Sequence, residues 1–507
     1  MSQTIFEKQK NFDLLALGII IGSFILRLII ITSGEINLYY DEAQYWDWSR
    51  SLDFSYYSKG PLIAYFIKFW TLIFGNTELA VRFGACLNLA LLQLLIYFGL
   101  KKISLNHPKC TSALPFAALI IACSTPLFLV TGILMTTDNL LVLFYTCCLF
   151  LLYLFLKTEK TYYLFLMLPC LILGILGKYT MLIFIPLAFI VCLKEKKHLL
   201  SKVTIVLILG GILGLVPILL WNIKYNFVGF KHVLYRGHLI GQSQNNFFKI
   251  NHFFEFIGSQ LGVLTPWWFF ILIWAYVKRK YQQFPRLEAS LLCIFFWPIW
   301  LSFVILSFHT KVEANWPALS YVIALPLLAK TFLDLSAKTQ KILLGASIAV
   351  FVLFHAVPFI SLPSGKLNIL QRMRGYENIG HYIQELKKTK FKYPDKIFIF
   401  SDSYGITSQL SFYVPGQQRA FCVNFGRKQN QYDIWPSPGQ NKIGWDAIFI
   451  TKGICKHVPL QLKKMFHTIS NPIIFYSKQK GKPGQIVTII LCYNYNGMWP
   501  KPQNKTY

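Results

Sequence analysis

Eleven long apolar stretches run through the first 361 residues, and their succession constrains the fold more than any other property of the chain. A helix needs about 20 mostly apolar residues to cross a bilayer. Candidates lie near 12–32, 79–100, 112–131, 139–156, 161–177, 179–193, 202–221, 257–277, 287–307, 316–334 and 341–361. The pair 161–177 and 179–193 is short enough to be partly re-entrant. With 55% hydrophobic and only 14% charged residues over 507 positions, the chain is too apolar for an ordinary soluble enzyme. The expected fold is mainly α, a polytopic transmembrane bundle of about 11 spans over 1–361 followed by a C-terminal α/β domain over 362–507.

Basic residues in short loops set the orientation, because they stay on the cytoplasmic side. The even-numbered loops together carry 16 Lys and Arg, among them Lys101, Lys102, Lys157, Lys194, Lys196, Lys197, Lys278, Arg279 and Lys280. Lys8 and Lys10 precede the first span, whereas the odd loop 131–139 has no basic residue. These counts predict a cytoplasmic N-terminus, and they place the loop 33–60 and everything beyond about 362 on the outer side. The stretch after Phe12 has no small-residue cleavage site and is followed by further spans, so it reads as an uncleaved first helix. Arg27 inside it is expected to face protein or to snorkel outward, since charge in lipid is costly.

The C-terminal part changes character. Residues 376–386 have helical periodicity, whereas 396–400, 446–450 and 485–490 read as buried strands, an alternation that fits a small α/β domain. From 362 onward there are 21 Lys and Arg against 6 acids, about half of the whole chain's net charge of +29. That excess is compatible with solubility beside a membrane and with affinity for anionic lipid or glycan. The eleven cysteines show no ligand-like spacing, and Cys422, Cys455 and Cys492 leave both one disulfide and free buried thiols open.

Against this basic background the first outer loop is acidic. Between Glu35 and Lys59 stand Glu35, Asp41, Glu42, Asp47 and Asp53 against Arg50 and Lys59, a net of −3. Asp41-Glu42, flanked by Tyr39, Tyr40, Tyr45 and Trp46, would sit where a carboxylate is partly desolvated and becomes a competent base. The aromatics are also what a membrane interface attracts. Tyr57-Ser58-Lys59-Gly60-Pro61-Leu62 opens an apolar segment too short to span, suited to an interfacial helix, with Lys59 at headgroup depth to hold a phosphate or simply to snorkel. Asp138, after Thr136-Thr137, could cap the next helix or bind substrate. The loop 221–256 carries Lys224, Lys231, His232, Arg236, His238, Lys249 and His252 against Glu255. A phosphate or diphosphate ligand would account for so basic an outer loop; a merely solvated loop is the alternative. Lys178 and the turn 309–317 also face outward.

There is no Walker-type phosphate loop, no dinucleotide fingerprint and no repeat, so energy would have to arrive in an activated substrate. Basic charge spread over two compartments does not point to nucleic acid. No His or Cys spacing supports a metal and no cofactor is implied, although Asp41, Glu42 and Asp138 could hold a divalent cation.

Together these pieces resemble the glycosyltransferase C superfamily, in particular bacterial relatives of the dolichyl-phosphate-mannose protein mannosyltransferases and lipid A aminoarabinose transferases. Tyr40-Asp41-Glu42-Ala43-Gln44-Tyr45-Trp46 is similar to the family's acidic motif in the first outer loop. Tyr57-Ser58-Lys59-Gly60-Pro61-Leu62 is similar to its Lys-Pro-Pro segment with Gly60 in place of the first Pro. Thr137-Asp138-Asn139-Leu140 resembles the second acidic loop, and Asn315-Trp316-Pro317 and Gln431-Tyr432-Asp433-Ile434-Trp435 resemble further segments of the bacterial branch. The resemblance implies a multi-pass protein of the bacterial inner membrane with a periplasmic C-terminal domain. It implies inverting transfer of a sugar from a polyprenyl-phosphate donor to an envelope acceptor, such as lipid A, lipopolysaccharide or another glycan, less readily protein. Asp41 would be the catalytic carboxylate with Glu42 beside it. Lys59, Lys231 and Arg236 would bind the donor phosphate, and Asp138, Tyr40, Tyr57 and Lys178 would contact substrate. Gly60 would loosen the turn that Pro fixes. A flippase for lipid-linked sugars, surrounded by membrane lipid, is the alternative from another functional class.

Overall fold

The computed structural model describes residues 11–104, 113–236, 249–363, 365 and 368–502. Each of the eleven apolar segments is helical, but only six are helices long and apolar enough to cross a membrane: Phe12–Thr32, Glu78–Ile103, Thr137–Thr158, Lys197–Lys224, Arg286–Ser307 and Ala337–Phe359. The segment expected at 257–277 is instead two helices, Ile250–Leu264 and Pro266–Val277, bent by 105°. Pro266 is the cause, since a residue before proline is driven out of the helical region; Thr265 takes φ 72° and ψ 147°. Pro126 breaks the run 112–131 in the same way, into Leu114–Ser124 and Pro126–Thr131 around an extended Thr125. By length alone the described residues therefore give six crossings, or seven if the bent pair is one span, with Leu62–Phe74, Leu114–Ser124, Tyr162–Gly177 and Ala318–Leu333 as shorter apolar helices.

The bundle presents apolar residues outward as well as inward. On Leu62–Phe74 the stripe Ile63, Ala64, Ile67 and Thr71 packs inward, while Tyr65, Phe69, Leu72 and Ile73 are exposed. A helix apolar on both sides has its outer surface suited to lipid. Arg27 faces protein: it is fully buried, and its Nη1 donates to Ser23 Oγ at 3.3 Å. Gly132 admits it, because a Cβ there would stand 2.9 Å from Arg27 Nε.

The C-terminal part is a six-stranded sheet of order β2-β1-β3-β6-β4, with β5 also on β6. The strands are β1 (Ile397–Ser401), β2 (Phe421–Cys422), β3 (Asp446–Lys452), β4 (Phe466–Ile469), β5 (Ile473–Gln479) and β6 (Lys482–Tyr495). β1 pairs in parallel with β2 and β3, and β3 pairs antiparallel with β6. Every residue of β1 is buried, as expected of a parallel strand covered on both faces. Ile397, Ile399, Ile448, Ile450 and Val487 pack under the helices Tyr376–Lys390 and Tyr404–Tyr413. Phe398, Phe400, Phe449 and Ile490 pack on the other side against Leu462, Met465 and Phe466. The helix Tyr404–Tyr413 that follows β1 lies against a short helix of the acidic loop, Tyr40–Ser49. Among the described residues all ten cysteines are free thiols, including Cys422, Cys455 and Cys492.

Candidate active site

The acidic loop folds into the helix Tyr40–Ser49, and its aromatics form a core of their own. Trp46 and Trp48 are fully buried; Trp48 stacks on Tyr56 with ring centroids 4.5 Å apart. They pack with Ile63, Ile67, Val81 and Phe412, so they shape the loop from within instead of forming an interfacial belt.

The five acids divide into four that anchor the framework and one that faces outward. Glu42, expected beside Asp41 as a second catalytic acid, is fully buried. It meets Arg82 at 2.8 Å through Oε2, and accepts from the Met135 amide at 2.9 Å and the Tyr39 amide at 2.8 Å. Arg82 spends its remaining donors on the carbonyls of Ile36 and Asn37 at 3.1 and 2.7 Å. With both oxygens occupied by framework donors, Glu42 ties the acidic loop to the Met135 loop and to the helix that carries Arg82, and has no edge turned toward a substrate. Asp47, also buried, accepts from Arg419 Nε at 3.1 Å and from the Tyr432 hydroxyl at 2.8 Å. Glu35 pairs with Lys482 at 2.6 Å, and Asp53 accepts from Trp221 Nε1 at 3.0 Å. The C-terminal domain's positive charge thus has a local use that sequence alone did not disclose: Arg419 and Lys482 clamp it onto the acidic loop.

Asp41 is the acid that remains at an open edge. It lies in the first turn of Tyr40–Ser49 and is half-buried, and its Oδ1 accepts from the Tyr404 hydroxyl at 3.2 Å. Asp138 is not a helix cap, since the helix Thr137–Thr158 starts one residue before it. Its Oδ1 instead meets Lys178 Nζ at 2.6 Å in a pair that is nearly buried on both sides. Lys178 reaches it because Tyr162–Gly177 ends there and Lys178 itself is extended, φ −157° and ψ 132°. Complete burial pushes the Tyr45 phenol well above its ordinary range, and the negative fields of Asp41 and then Asp138 push it further. Tyr39 is raised by burial first and next by Asp41, with Glu313 contributing and Arg372 opposing.

Lys59 closes a tight turn. Its carbonyl accepts from the Tyr56 amide at 3.1 Å and from Ser55 Oγ at 3.2 Å, and Ser55 Oγ also meets the hydroxyl of Tyr179, the neighbour of Lys178, at 3.3 Å. Gly60 does not loosen this turn. A Cβ on it would come within 2.1 Å of the Leu176 carbonyl oxygen, so the glycine is what lets the turn seat against the end of Tyr162–Gly177. Gly60→Ala is accordingly expected to cost on the order of 2–3 kcal/mol, as overpacking does, read as a lowered Tm of the purified protein in detergent; an unchanged Tm would show that the turn has slack.

The basic segment packs on this turn. In the helix Val228–Arg236, His232 lies 4.7 Å from the Tyr57 ring between centroids, Phe230 lies 6.4 Å from Tyr179, and Lys231 is half-buried. The Arg236 side chain and His238 fall outside the described residues. Lys428 of the C-terminal domain lies 4.5 Å over the Tyr235 ring. Tyr57 is buried, and its amide donates to Gln431 Oε1 at 2.7 Å. Tyr40 is half-buried, stacked on Tyr39 at 5.0 Å, with Lys452 5.7 Å over its ring. Among the described residues no three His, Cys, Asp or Glu side chains converge to hold a metal ion.

The segment Gln431–Trp435 is a latch. Gln431 holds Tyr57, Tyr432 holds Asp47, Asp433 pairs with Arg427 at 2.7 Å, and Trp435 lies under the Arg419 guanidinium at 4.2 Å. Arg82, Arg419 and Tyr404, which organise the acidic loop, carry no motif of their own. The one sequence signal that pointed to a counter-surface was the acidic loop facing a strongly basic domain.

Residues 58–221 match the family model described as dolichyl-phosphate-mannose-protein mannosyltransferase. The lipid A galacturonosyltransferase RgtD of Rhizobium johnstonii is 26% identical over 315 residues. The crystal structures of ArnT from Cupriavidus metallidurans, in the apo state and bound to undecaprenyl phosphate, share the fold with TM-scores of 0.60 and 0.62. The chain resembles these membrane glycosyltransferases in sequence over part of its length and shares the fold of ArnT. The likeness to ArnT covers 94% of this chain and 97% and 98% of the two structures, at 13% identity, so it is one of fold. The match to RgtD spans 60% of this chain and 62% of RgtD, under two thirds of that relative's length. The family match includes Lys59, Asp138 and Lys178 and begins after Asp41.

Proposed function

We propose that this chain is an inverting glycosyltransferase that moves a sugar from a polyprenyl phosphate to lipid A or a related envelope glycolipid. One observation carries the reading: Lys178 holds Asp138 at 2.6 Å, and the next residue, Tyr179, meets both Ser55 of the Lys59 turn and Phe230 of the basic helix Val228–Arg236, with half-buried Asp41 on the loop helix. Inversion at an anomeric carbon needs a carboxylate on the acceptor side and cations at the departing phosphate. In this reading Asp41 accepts the proton of an acceptor hydroxyl, or orients an acceptor phosphate that has none to give. Lys59 and Lys231, with Arg236, stabilise the polyprenyl phosphate as it leaves, and Lys178 and Asp138 set the sugar between the two groups. Tyr40 and Tyr57 line that space, and Glu42 serves as a positioning residue through Arg82.

The likeness to RgtD, a lipid A galacturonosyltransferase, and to ArnT bound to undecaprenyl phosphate supports this choice of donor and acceptor. Basic loops support a cytoplasmic N-terminus, a multi-pass place in the bacterial inner membrane, and a chain that divides near residue 361 with the C-terminal domain in the periplasm. Mass spectrometry of envelope lipids tests the proposal. A strain lacking the gene is expected to lose one glycosyl mass from its lipid A or core, restored by the wild-type chain and not by Asp41→Asn. Unchanged lipids and glycans in the deleted strain would sink it, and so would a donor that is moved without release of free polyprenyl phosphate.

A further inference from the structure

We infer that Tyr404 is a positioning residue for Asp41, delivered to the reacting centre by the C-terminal domain, so that the site is complete only when that domain is docked. The inference rests on the reading of Asp41 as the catalytic carboxylate. Tyr404 is the first residue of the helix Tyr404–Tyr413, and that helix is fixed along its length to Leu38, Tyr40 and Trp46. Gly405 sits against the Tyr40 ring, where a Cβ would come within 3.0 Å of Cγ. One turn on, Ser408 Oγ donates to the Tyr40 carbonyl at 3.3 Å and Gln409 Nε2 to the Leu38 carbonyl at 2.6 Å. At the far end Phe412 meets Trp46 edge-on at 4.8 Å, and the Tyr413 hydroxyl accepts from the Leu38 amide at 2.7 Å while donating to Glu78.

Contacts three and four residues apart along one helical face leave its first residue little freedom of position. The Tyr404 hydroxyl is thereby aimed at Asp41 Oδ1, 3.2 Å away. The acid of this strand-end loop, Asp402, turns back into the sheet, where the Thr451 hydroxyl donates to both its oxygens at 3.0 and 3.1 Å. Tyr404 is therefore the side chain through which the strand end meets the loop acid. A phenol donating to a carboxylate oxygen favours the charged form and fixes the plane in which the other oxygen can meet an acceptor.

Tyr404→Phe removes the hydroxyl and keeps the ring and all five docking contacts, so the Tm is expected to stay. Purified protein, a short-chain polyprenyl-phosphate sugar and a lipid A acceptor supply the assay. The variant is expected to lower kcat about 10-fold with the donor KM within about twofold, as for one hydrogen bond to a charged group. The acid limb of the rate should move up by about half a pH unit or more, because the carboxylate has lost a donor to its charged form. The charged groups that act on its neighbouring tyrosines, Asp138 on Tyr45, Glu313 and Arg372 on Tyr39 and Lys452 over the Tyr40 ring, are unchanged in both proteins. Ser408→Ala, which weakens docking without touching Asp41, is expected to leave the limb in place. A Tyr404→Phe enzyme with the wild-type rate, or a slower one with the wild-type acid limb, overturns the inference while Asp41→Asn remains inactive. Full transfer by Asp41→Asn would instead remove the reading beneath it.

Discussion

Asp41→Asn is expected to reduce sugar transfer by about three orders of magnitude or more while leaving donor binding and folding intact, in keeping with the loss of a positioned general base. The substitution is nearly isosteric, and Asn keeps an oxygen that can accept from the Tyr404 hydroxyl, now at 3.2 Å from Oδ1. Asp41 is half-buried at the edge of the loop helix, with Glu42, Asp47 and the stacked tryptophans carrying the packing. A fall in activity should therefore come with a Tm close to wild type. Release of labelled polyprenyl phosphate reads the chemistry, and co-purification of the donor reads binding. An Asp41→Asn enzyme within about 10-fold of wild type would shift the base role elsewhere, with Asp138 the next acid to change.

The contrast between Asp41 and its neighbour shows what the sequence could and could not disclose. The apolar runs located the apolar helices among the described residues, because hydrophobic segments of that length have few alternatives in water or lipid, but only six of those helices are long enough to cross a membrane by themselves. They did not disclose the breaks at Thr125 and Thr265, although Pro126 and Pro266 were the signal, because a run of apolar residues hides a kink from any hydropathy count. The strands at 397–401 and 446–452 were legible as buried apolar runs, and the helices that cover them, Tyr376–Lys390, Tyr404–Tyr413 and Leu460–Met465, lie close to them in the chain. The candidate site was proposed where charge stood out against its surroundings: an acid pair in a basic protein, Lys59 before a short apolar helix, and a basic loop.

Partnership was not legible. Arg82 lies 40 residues beyond Glu42, and Arg419 and Tyr432 lie 372 and 385 residues beyond Asp47, so no local pattern announces those pairs. Adjacency suggested that Asp41 and Glu42 share one task. Helical geometry separates them instead, since consecutive residues differ by about 100° around the axis, and one points outward while the other points in.

That separation makes Glu42→Ala, or Arg82→Ala, the substitution with the largest expected effect on stability. Each leaves one buried charge without its partner, and such a loss costs about 3–5 kcal/mol, a large part of the margin by which a folded chain exceeds its unfolded state. Glu42→Ala also takes away the acceptor of the Tyr39 and Met135 amides, which lie on different loops, and Arg82→Ala releases the Ile36 and Asn37 carbonyls just before the loop helix. Both variants should accumulate poorly and unfold at a clearly lower temperature in detergent. Replacing the pair together by residues of similar volume, Glu42→Leu with Arg82→Met, should recover part of the loss, because a well-packed apolar pair leaves no uncompensated ion. The opposite pattern would reverse the assignment. A Glu42→Ala protein that folds with the wild-type Tm and has lost transfer would make Glu42 the chemical group, and the inward-facing pair with Arg82 would then describe a resting state.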